Sequence, residues 1–392
     1  MSYLRASRRV GIKEDETMTG KKRFPETLQT EKPSGNAGGR RKKKKRTVPV
    51  ILGLGLLVVI MGVGYVYLQK WMHEIRPVTT NPTKDVCLIT GPAGLEDPIF
   101  MNIQAGIEEA QDKYGLTTGV ISAKTDTERE FNARIDEACH EYRVVICYGQ
   151  DMADNLLVKA QVYPQTKFIF LEGTIYTEEG ATSTLPNVLE VGFRVEEASY
   201  LAGYLAVKMS SRNCLGFIGG RDEPALRAYY GYYAGAMYAD RSCEIRLGLP
   251  GGSPGRNRIR DLTTQLFQGG VLIILHSVGS ESQTIAECAR QENKQIIETG
   301  IPRENAGAEV LTTVVKKYDR VVADLLEHQS TLTYGERIYY GYKEGALDLL
   351  RPEKNVTDSL WKQVEDLRTR IVNAQVKIPG TKDEFDVAFL GK

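Results

Sequence analysis

The chain has 392 residues, enough for two compact domains and tails, and 42% of them are hydrophobic, an ordinary share for a globular fold. Of its 51 basic and 50 acidic residues, 15 and 5 lie in positions 1–46, which leaves 36 and 45 beyond them. A body with that excess of acid repels phosphate backbones, so nucleic acid is excluded as a partner of the folded part.

Residues 1–46 are polar, rich in Gly, Ser and Lys, and without periodicity, the composition of a disordered tail. The run Arg40 to Arg46 is wholly basic and is followed, at 48–68, by 21 uncharged residues. A helix needs about 20 apolar residues to cross the hydrocarbon layer, so a single transmembrane helix is expected over 47–69. Tyr65, Tyr67 and Trp71 gather at its far end, where amphipathic rings favour the interface. The positive-inside bias places the basic tail in the cytoplasm and everything after Lys70 outside the cell membrane. No small-x-small cleavage site follows, so the segment reads as an uncleaved anchor. Residues 70–84, with Pro77 and Pro82, read as a linker.

From 85 onward short apolar runs alternate with helical stretches. Strands are expected at 86–90, 118–122, 144–148 and 168–171, with helices at 99–114, 128–141 and 152–163 between them. The rhythm repeats with strands at 215–219, 244–247, 271–275 and 295–297 and helices at 225–239, 256–267 and 280–292. A strand near 310–313 and helices at 316–329 and 359–373 end the chain. Fully apolar strands alternating with helices mean parallel sheets covered on both faces. The α/β body, 85–392, therefore divides into two doubly wound parallel-sheet lobes joined by a hinge. We assign 85–192 and 300–332 to the first, and 193–299 and 333–392 to the second. Each lobe has a crevice at the carboxyl ends of its strands.

None of the six cysteines has C-x-x-C spacing, so no metal site is expected. Cys87 and Cys147 fall within apolar strands and read as buried small hydrophobes. Cys214 and Cys243 each open a strand of one lobe and are a candidate disulfide. The four histidines, at 73, 140, 276 and 328, are scattered, and no nucleophile–base pair emerges; an enzyme is not expected. Gly251 to Gly255 lacks the Gly-Lys-Ser/Thr of a phosphate loop. No cofactor is implied.

Candidate site residues follow the strands. Asp97 and Glu172 offer carboxylates to vicinal hydroxyls, and Phe100, Tyr148 and Tyr229 offer flat apolar surface for a ring. Each has a structural alternative: Asp97 before Pro98 has the form of a helix N-cap, Phe100 of a core residue, and Glu172 before Gly173 of a turn. Lys316 stands at an expected helix start, where a cation opposes the dipole, which favours a ligand role. Tyr229 belongs to the run Tyr229-Tyr230-Gly231-Tyr232-Tyr233, whose rings point in different directions on a helix. His276 ends a buried strand and suits either a structural or a cleft-facing place.

Four ordered stretches carry a resemblance: residues 191–206 (Val-Gly-Phe-Arg-Val-Glu-Glu-Ala-Ser-Tyr-Leu-Ala-Gly-Tyr-Leu-Ala), 215–220 (Leu-Gly-Phe-Ile-Gly-Gly), 311–317 (Leu-Thr-Thr-Val-Val-Lys-Lys) and 340–345 (Tyr-Gly-Tyr-Lys-Glu-Gly). Over roughly 85–385 the chain resembles the basic membrane protein family of solute-binding lipoproteins. The resemblance implies a type I periplasmic-binding-protein fold that hands purine nucleosides to the permease and ATPase subunits of an ABC importer. It also implies base and sugar contacts from the loop after the first strand. There the family's Asn-Asp and Ser-Phe-Asn become Glu96-Asp97 and Ile99-Phe100-Met101. The family's Asp before Gly is Glu172, its sugar-reaching Lys is Lys316, and its stacking Phe falls at Ala228 or Tyr229. Its late Asp-x-Asp is replaced by Glu298-Thr299-Gly300. The transmembrane anchor and basic tail stand where the family carries a lipid, which leaves a membrane-anchored ligand-sensing receptor as the alternative function.

Overall fold

The computed structural model describes residues 76–391 apart from 178–179, 252–254 and 353–355. The basic tail and the apolar segment at 48–68 lie outside the described residues. Among the described residues no helix is long and apolar enough to cross a membrane.

The chain begins with β1 (Lys84–Thr90), α1 (Pro98–Tyr114), β2 (Thr118–Ser122), α2 (Glu128–Glu141), β3 (Tyr142–Tyr148), α3 (Ala153–Val162), β4 (Lys167–Leu171) and β5 (Val188–Phe193). There follow α4 (Val195–Met209), β6 (Cys214–Gly219), α5 (Glu223–Ala239), β7 (Glu244–Gly248), α6 (Arg256–Gln268), β8 (Ile273–Ser277), α7 (Ser282–Gln291), β9 (Gln295–Gly300) and β10 (Val310–Lys316). It closes with α8 (Tyr318–Glu327), β11 (Glu336–Tyr340), β12 (Leu347–Leu349), α9 (Asp358–Val372) and α10 (Lys382–Phe385).

These strands make two sheets, ordered β11-β5-β4-β3-β1-β2 and β12-β10-β9-β8-β6-β7. Every pairing is parallel except β12 with β10. Unbroken apolar strands serve both faces of each sheet. In β1, Val86 and Leu88 join Ile103 and Ile107 of α1 in one core, and Cys87 and Ile89 join Ile135 of α2 in another. All six cysteines are free thiols, Cys214 and Cys243 included, so the candidate bridge is not formed.

Helix ends follow local chemistry. The Asp97 side chain accepts from Ile99 N, Pro98 takes the first helical position of α1, and Gly115 ends it at φ 68°. Asp222 caps α5 in the same way, ahead of Glu223 and Pro224. Glycine also brings α4 and α5 into backbone contact. A Cβ on Gly235 would lie 1.9 Å from the Tyr200 carbonyl oxygen, and one on Gly231 2.3 Å from that of Glu196.

The chain crosses between lobes three times: from β5 to α4, from β10 to α8, and from β11 to β12. Helix α8 packs on α1 so closely that a Cβ on Gly106 would lie 2.3 Å from the Asp319 carbonyl oxygen. This corrects the boundaries read from the sequence. Strand β10 belongs to the second sheet, beside β9, and β11 to the first, beside β5. The β-branched run Thr312-Thr313-Val314-Val315 extends the strand to Lys316, so the hop to the first lobe comes after Lys316 and not at residue 300, where the sequence reading set it. Lys316 is therefore the last residue of a strand and not the start of a helix. The helix dipole has no bearing on its role.

Candidate functional site

Glu172 follows β4 at the carboxyl edge of the first sheet, with φ at 55°. A non-glycine residue in that region costs roughly 1–2 kcal/mol and persists only where its surroundings over-determine it. Its N–H donates to the Val191 carbonyl at 2.9 Å. Its carboxylate accepts from the Lys316 ammonium at 2.8 and 2.6 Å and from the Tyr318 hydroxyl at 2.9 Å. Both charged side chains are more than nine-tenths buried. Lys316 ends β10 and Tyr318 opens α8, so one carboxylate of the first lobe holds both sides of a crossing.

Aromatic rings surround this group. Tyr318 meets Tyr148 edge-on at 5.7 Å and Phe193 at 5.1 Å, and Tyr148 meets Phe100 at 5.7 Å. The Lys316 ammonium lies 5.7 Å above the Phe193 ring. Burial, reinforced by the Glu172 charge, pushes the hydroxyls of Tyr148 and Tyr318 well above the usual phenol range, so both stay protonated donors.

Beside Glu172 lies a cavity of about 160 Å³ walled by both lobes. Its lining includes Gln150, Glu172, Thr174, Phe193, Arg337 and Tyr339 from the first lobe and Asp222, Glu223 and Arg227 from the second. Arg337 donates from Nε to Glu190 at 2.8 Å and from Nη1 to Glu223 at 2.7 Å. Arg227 donates to Glu223 at 2.9 Å and Glu196 at 2.7 Å, and its guanidinium stacks 4.3 Å from the Tyr339 ring centre. The Tyr339 hydroxyl donates to Glu223. Burial pushes Glu196 up to about 7, although Arg227 pulls it back. Burial also raises Glu223, but hydrogen bonds from Tyr339 and Arg227 outweigh it and hold that carboxyl below its ordinary range.

Of the residues singled out from the sequence, Phe100, Tyr148, Glu172 and Lys316 are brought into one group by Phe193 and Tyr318. Asp97 is spent on the α1 cap, with Ile99 N at 2.8 Å from Oδ1. Tyr229 packs inside the second lobe, against Phe217 at 5.4 Å and Tyr230 at 4.9 Å. His276 is buried at the end of β8, and its Nε2 has no hydrogen-bond partner among the described residues. Burial, with help from Arg303, lowers its pKa to about 3. Only Glu172 of the seven lines the cavity. The sequence reading missed Phe193, Tyr318, Glu223, Arg227, Arg337 and Tyr339. Phe193 and Tyr318 sit immediately beside lobe crossings, a signal that becomes readable once the crossings are known. No local pattern marks Arg337. Among the described residues no His, Cys, Asp or Glu group is arranged to hold a metal.

Two doubly wound lobes, crossed three times by the chain and meeting at the carboxyl ends of their strands, define the type I periplasmic-binding-like class. Solved structures share the architecture. A solute-binding protein from Aeropyrum pernix K1 superposes with a TM-score of 0.61 at 17% identity, over 77% of this chain and 96% of that one. A transcriptional activator from Bacillus halodurans reaches 0.62 at 17% identity, over 75% and 99%. At such identities the likeness shows the fold alone, which serves transport and regulation alike. In sequence, the chain is 27% identical over 245 residues to basic membrane protein A of Borreliella burgdorferi, covering 61% of this chain and 71% of that protein. It is 22% identical over 363 residues to the CD4+ T-cell-stimulating antigen of Listeria monocytogenes, covering 86% and 99%. The family described as ABC transporter substrate-binding protein PnrA-like matches residues 90–382, and the chain belongs to that family.

Proposed function

We propose that this protein is the extracytoplasmic solute-binding component of an ABC importer and closes its two lobes on a purine nucleoside or a related small solute. The observation that carries the reading is the cavity beside Glu172, to which both lobes contribute walls. A solute held there touches both lobes at once, and its binding energy goes into closure. Phe193 and Tyr339 give the wall its flat apolar surface, with Tyr318, Tyr148 and Phe100 packed in series behind Phe193. Thr174, Gln150 and Glu172 supply the polar edge. The closed form is the shape a permease recognises, and the ATPase drives release.

The apolar segment at 48–68 is the anchor in this reading, holding the binding domain outside the cell membrane with the basic tail in the cytoplasm. The test is a thermal-shift screen of the full chain in detergent against nucleosides, bases, sugars and amino acids. A selective rise in melting temperature with purine nucleosides supports the reading, since a ligand of the native state stabilises it by mass action. A shift with a different solute class alone would overturn the nucleoside and keep the binding role.

A further inference from the structure

We infer that Glu172 is a specificity residue: by cancelling the Lys316 charge it makes the cleft accept neutral solutes and reject anionic ones. This rests on the reading of the cleft as the solute site and goes further by naming what the site excludes.

Three cations stand at or behind the cavity wall, Lys316, Arg227 and Arg337, and each would ordinarily attract a carboxylate or phosphate. None is left open to one. The Lys316 ammonium is held by both oxygens of Glu172, at 2.8 and 2.6 Å, with Glu172 itself placed between the lysine and the cavity it lines. Arg227 is held by Glu196 and Glu223, and Arg337 by Glu190 and Glu223. Four carboxylates thus answer three cations. The first turn of α5, which also borders the cavity, would be a further anion site. Pro224 has no N–H to offer there, and the Asp222 carboxylate accepts from Ala225 N at 3.0 Å.

An anion entering this space would lose its water and meet Glu172, Glu223 and Asp222 without an uncompensated positive charge. Charge desolvated beside like charge is the means by which a site discriminates against a wrong partner. A neutral solute pays no such penalty, and its hydroxyls find acceptors in the same carboxylates. Glu172 is the member of the set whose removal exposes a cation most directly. Among the described residues Lys316 has no other carboxylate bonded to it, whereas Arg227 and Arg337 each have two.

The test uses the full chain in detergent, as wild type, Glu172→Gln and the double variant Glu172→Gln/Lys316→Met. Inorganic phosphate is titrated while the melting temperature is followed, against sodium chloride at equal ionic strength. Glu172→Gln should bind phosphate at least about tenfold more tightly than wild type, the scale of an unmasked buried charge, and the double variant should lose the gain. No gain in Glu172→Gln, or the same gain in the double variant, would overturn the proposal. A second measurement needs no variant. Wild type should bind a purine nucleoside at least about a hundredfold more tightly than its 5′-monophosphate, a coupling within the range measured for close charges. Equal binding of the two would overturn the proposal as well. Absence of any nucleoside binding would sink the proposed solute class and leave the phosphate titration to decide the role of Glu172.

Discussion

The ammonium of Lys316 lies 2.8 and 2.6 Å from the two carboxylate oxygens of Glu172, although Lys316 ends a strand of one sheet, Glu172 follows a strand of the other, and the two stand 144 positions apart. The pair is buried, accepts a third bond from Tyr318, and sits where β10 gives way to α8. It ties the loop after β4 to the crossing strand, so the setting of one lobe against the other depends on it.

Breaking a buried pair by removing one partner leaves an uncompensated charge and typically costs about 3–5 kcal/mol. Lys316→Met is expected to lower the unfolding free energy by that order, read from urea unfolding of the full chain. Combining it with Glu172→Gln should recover much of the loss, because no charge is then stranded. A double variant as unstable as the sum of the singles would show that the two are not coupled.

The α4–α5 seam gives a packing prediction. Gly235→Ala places a methyl 1.9 Å from the Tyr200 carbonyl oxygen, a backbone atom that cannot turn aside. The expected loss is roughly 1–3 kcal/mol or more. Gly255→Ala is the control, since a Cβ there meets nothing within 4 Å and its φ is −72°. That variant should stay within about 1 kcal/mol of wild type.

Two buried titratable groups bend the pH dependence in opposite senses. Glu196 has its pKa raised to about 7 by burial. Its contribution is fully present below the ordinary carboxyl range and is lost as pH rises through 7, a swing of up to roughly 3 kcal/mol. His276 is lowered to about 3, mainly by burial. Its contribution is present above the ordinary imidazole range and is lost as pH falls from there toward 3, up to roughly 5 kcal/mol. Glu196→Gln should therefore flatten the decline between pH 5 and 8, and His276→Asn should flatten the acid limb between pH 6 and 4. Unfolding free energies measured across pH for each variant check both. An unchanged acid limb in His276→Asn would rule out the buried imidazole as its cause.

Asp97 separates a cap from a ligand contact. Asp97→Asn keeps an acceptor for Ile99 N, and Asp97→Ala removes it. The alanine variant is expected to lose about 1 kcal/mol of stability and the asparagine variant a few tenths. Solute affinity, followed by calorimetry, should change little in either. A large, equal drop in affinity for both would return Asp97 to the binding site.

Much of this molecule is written in short-range patterns. The unbroken apolar runs around Val86, Val144 and Ile274 announce buried parallel strands. Asp97-Pro98 and Asp222-Glu223-Pro224 announce helix starts. Turns containing Gly after β1, β3, β4, β6 and β8 mark the carboxyl edge where the cleft lies. From these the two-lobed α/β architecture, and Phe100, Tyr148 and Glu172 as residues near the carboxyl edge, follow without coordinates, whereas Lys316 rests on the family resemblance once the helix-dipole reason falls away. The late crossings do not: β11, Glu-Arg-Ile-Tyr-Tyr, opens on two charged residues and is not among the strands expected from the sequence, and nothing local says which sheet β10 joins.

The sequence by itself determined most of the elements, though not β5, α4, β11 or β12, and the edge on which the site is built, since period, capping and turn chemistry act over a few residues. Only the tertiary structure decided who pairs with whom. Lys316 meets Glu172 across 144 positions and Arg337 meets Glu223 across 114. Such contacts depend on three lobe crossings and on helices seated through glycine, which bring distant charges within bonding distance while leaving no trace in the spacing of the residues themselves.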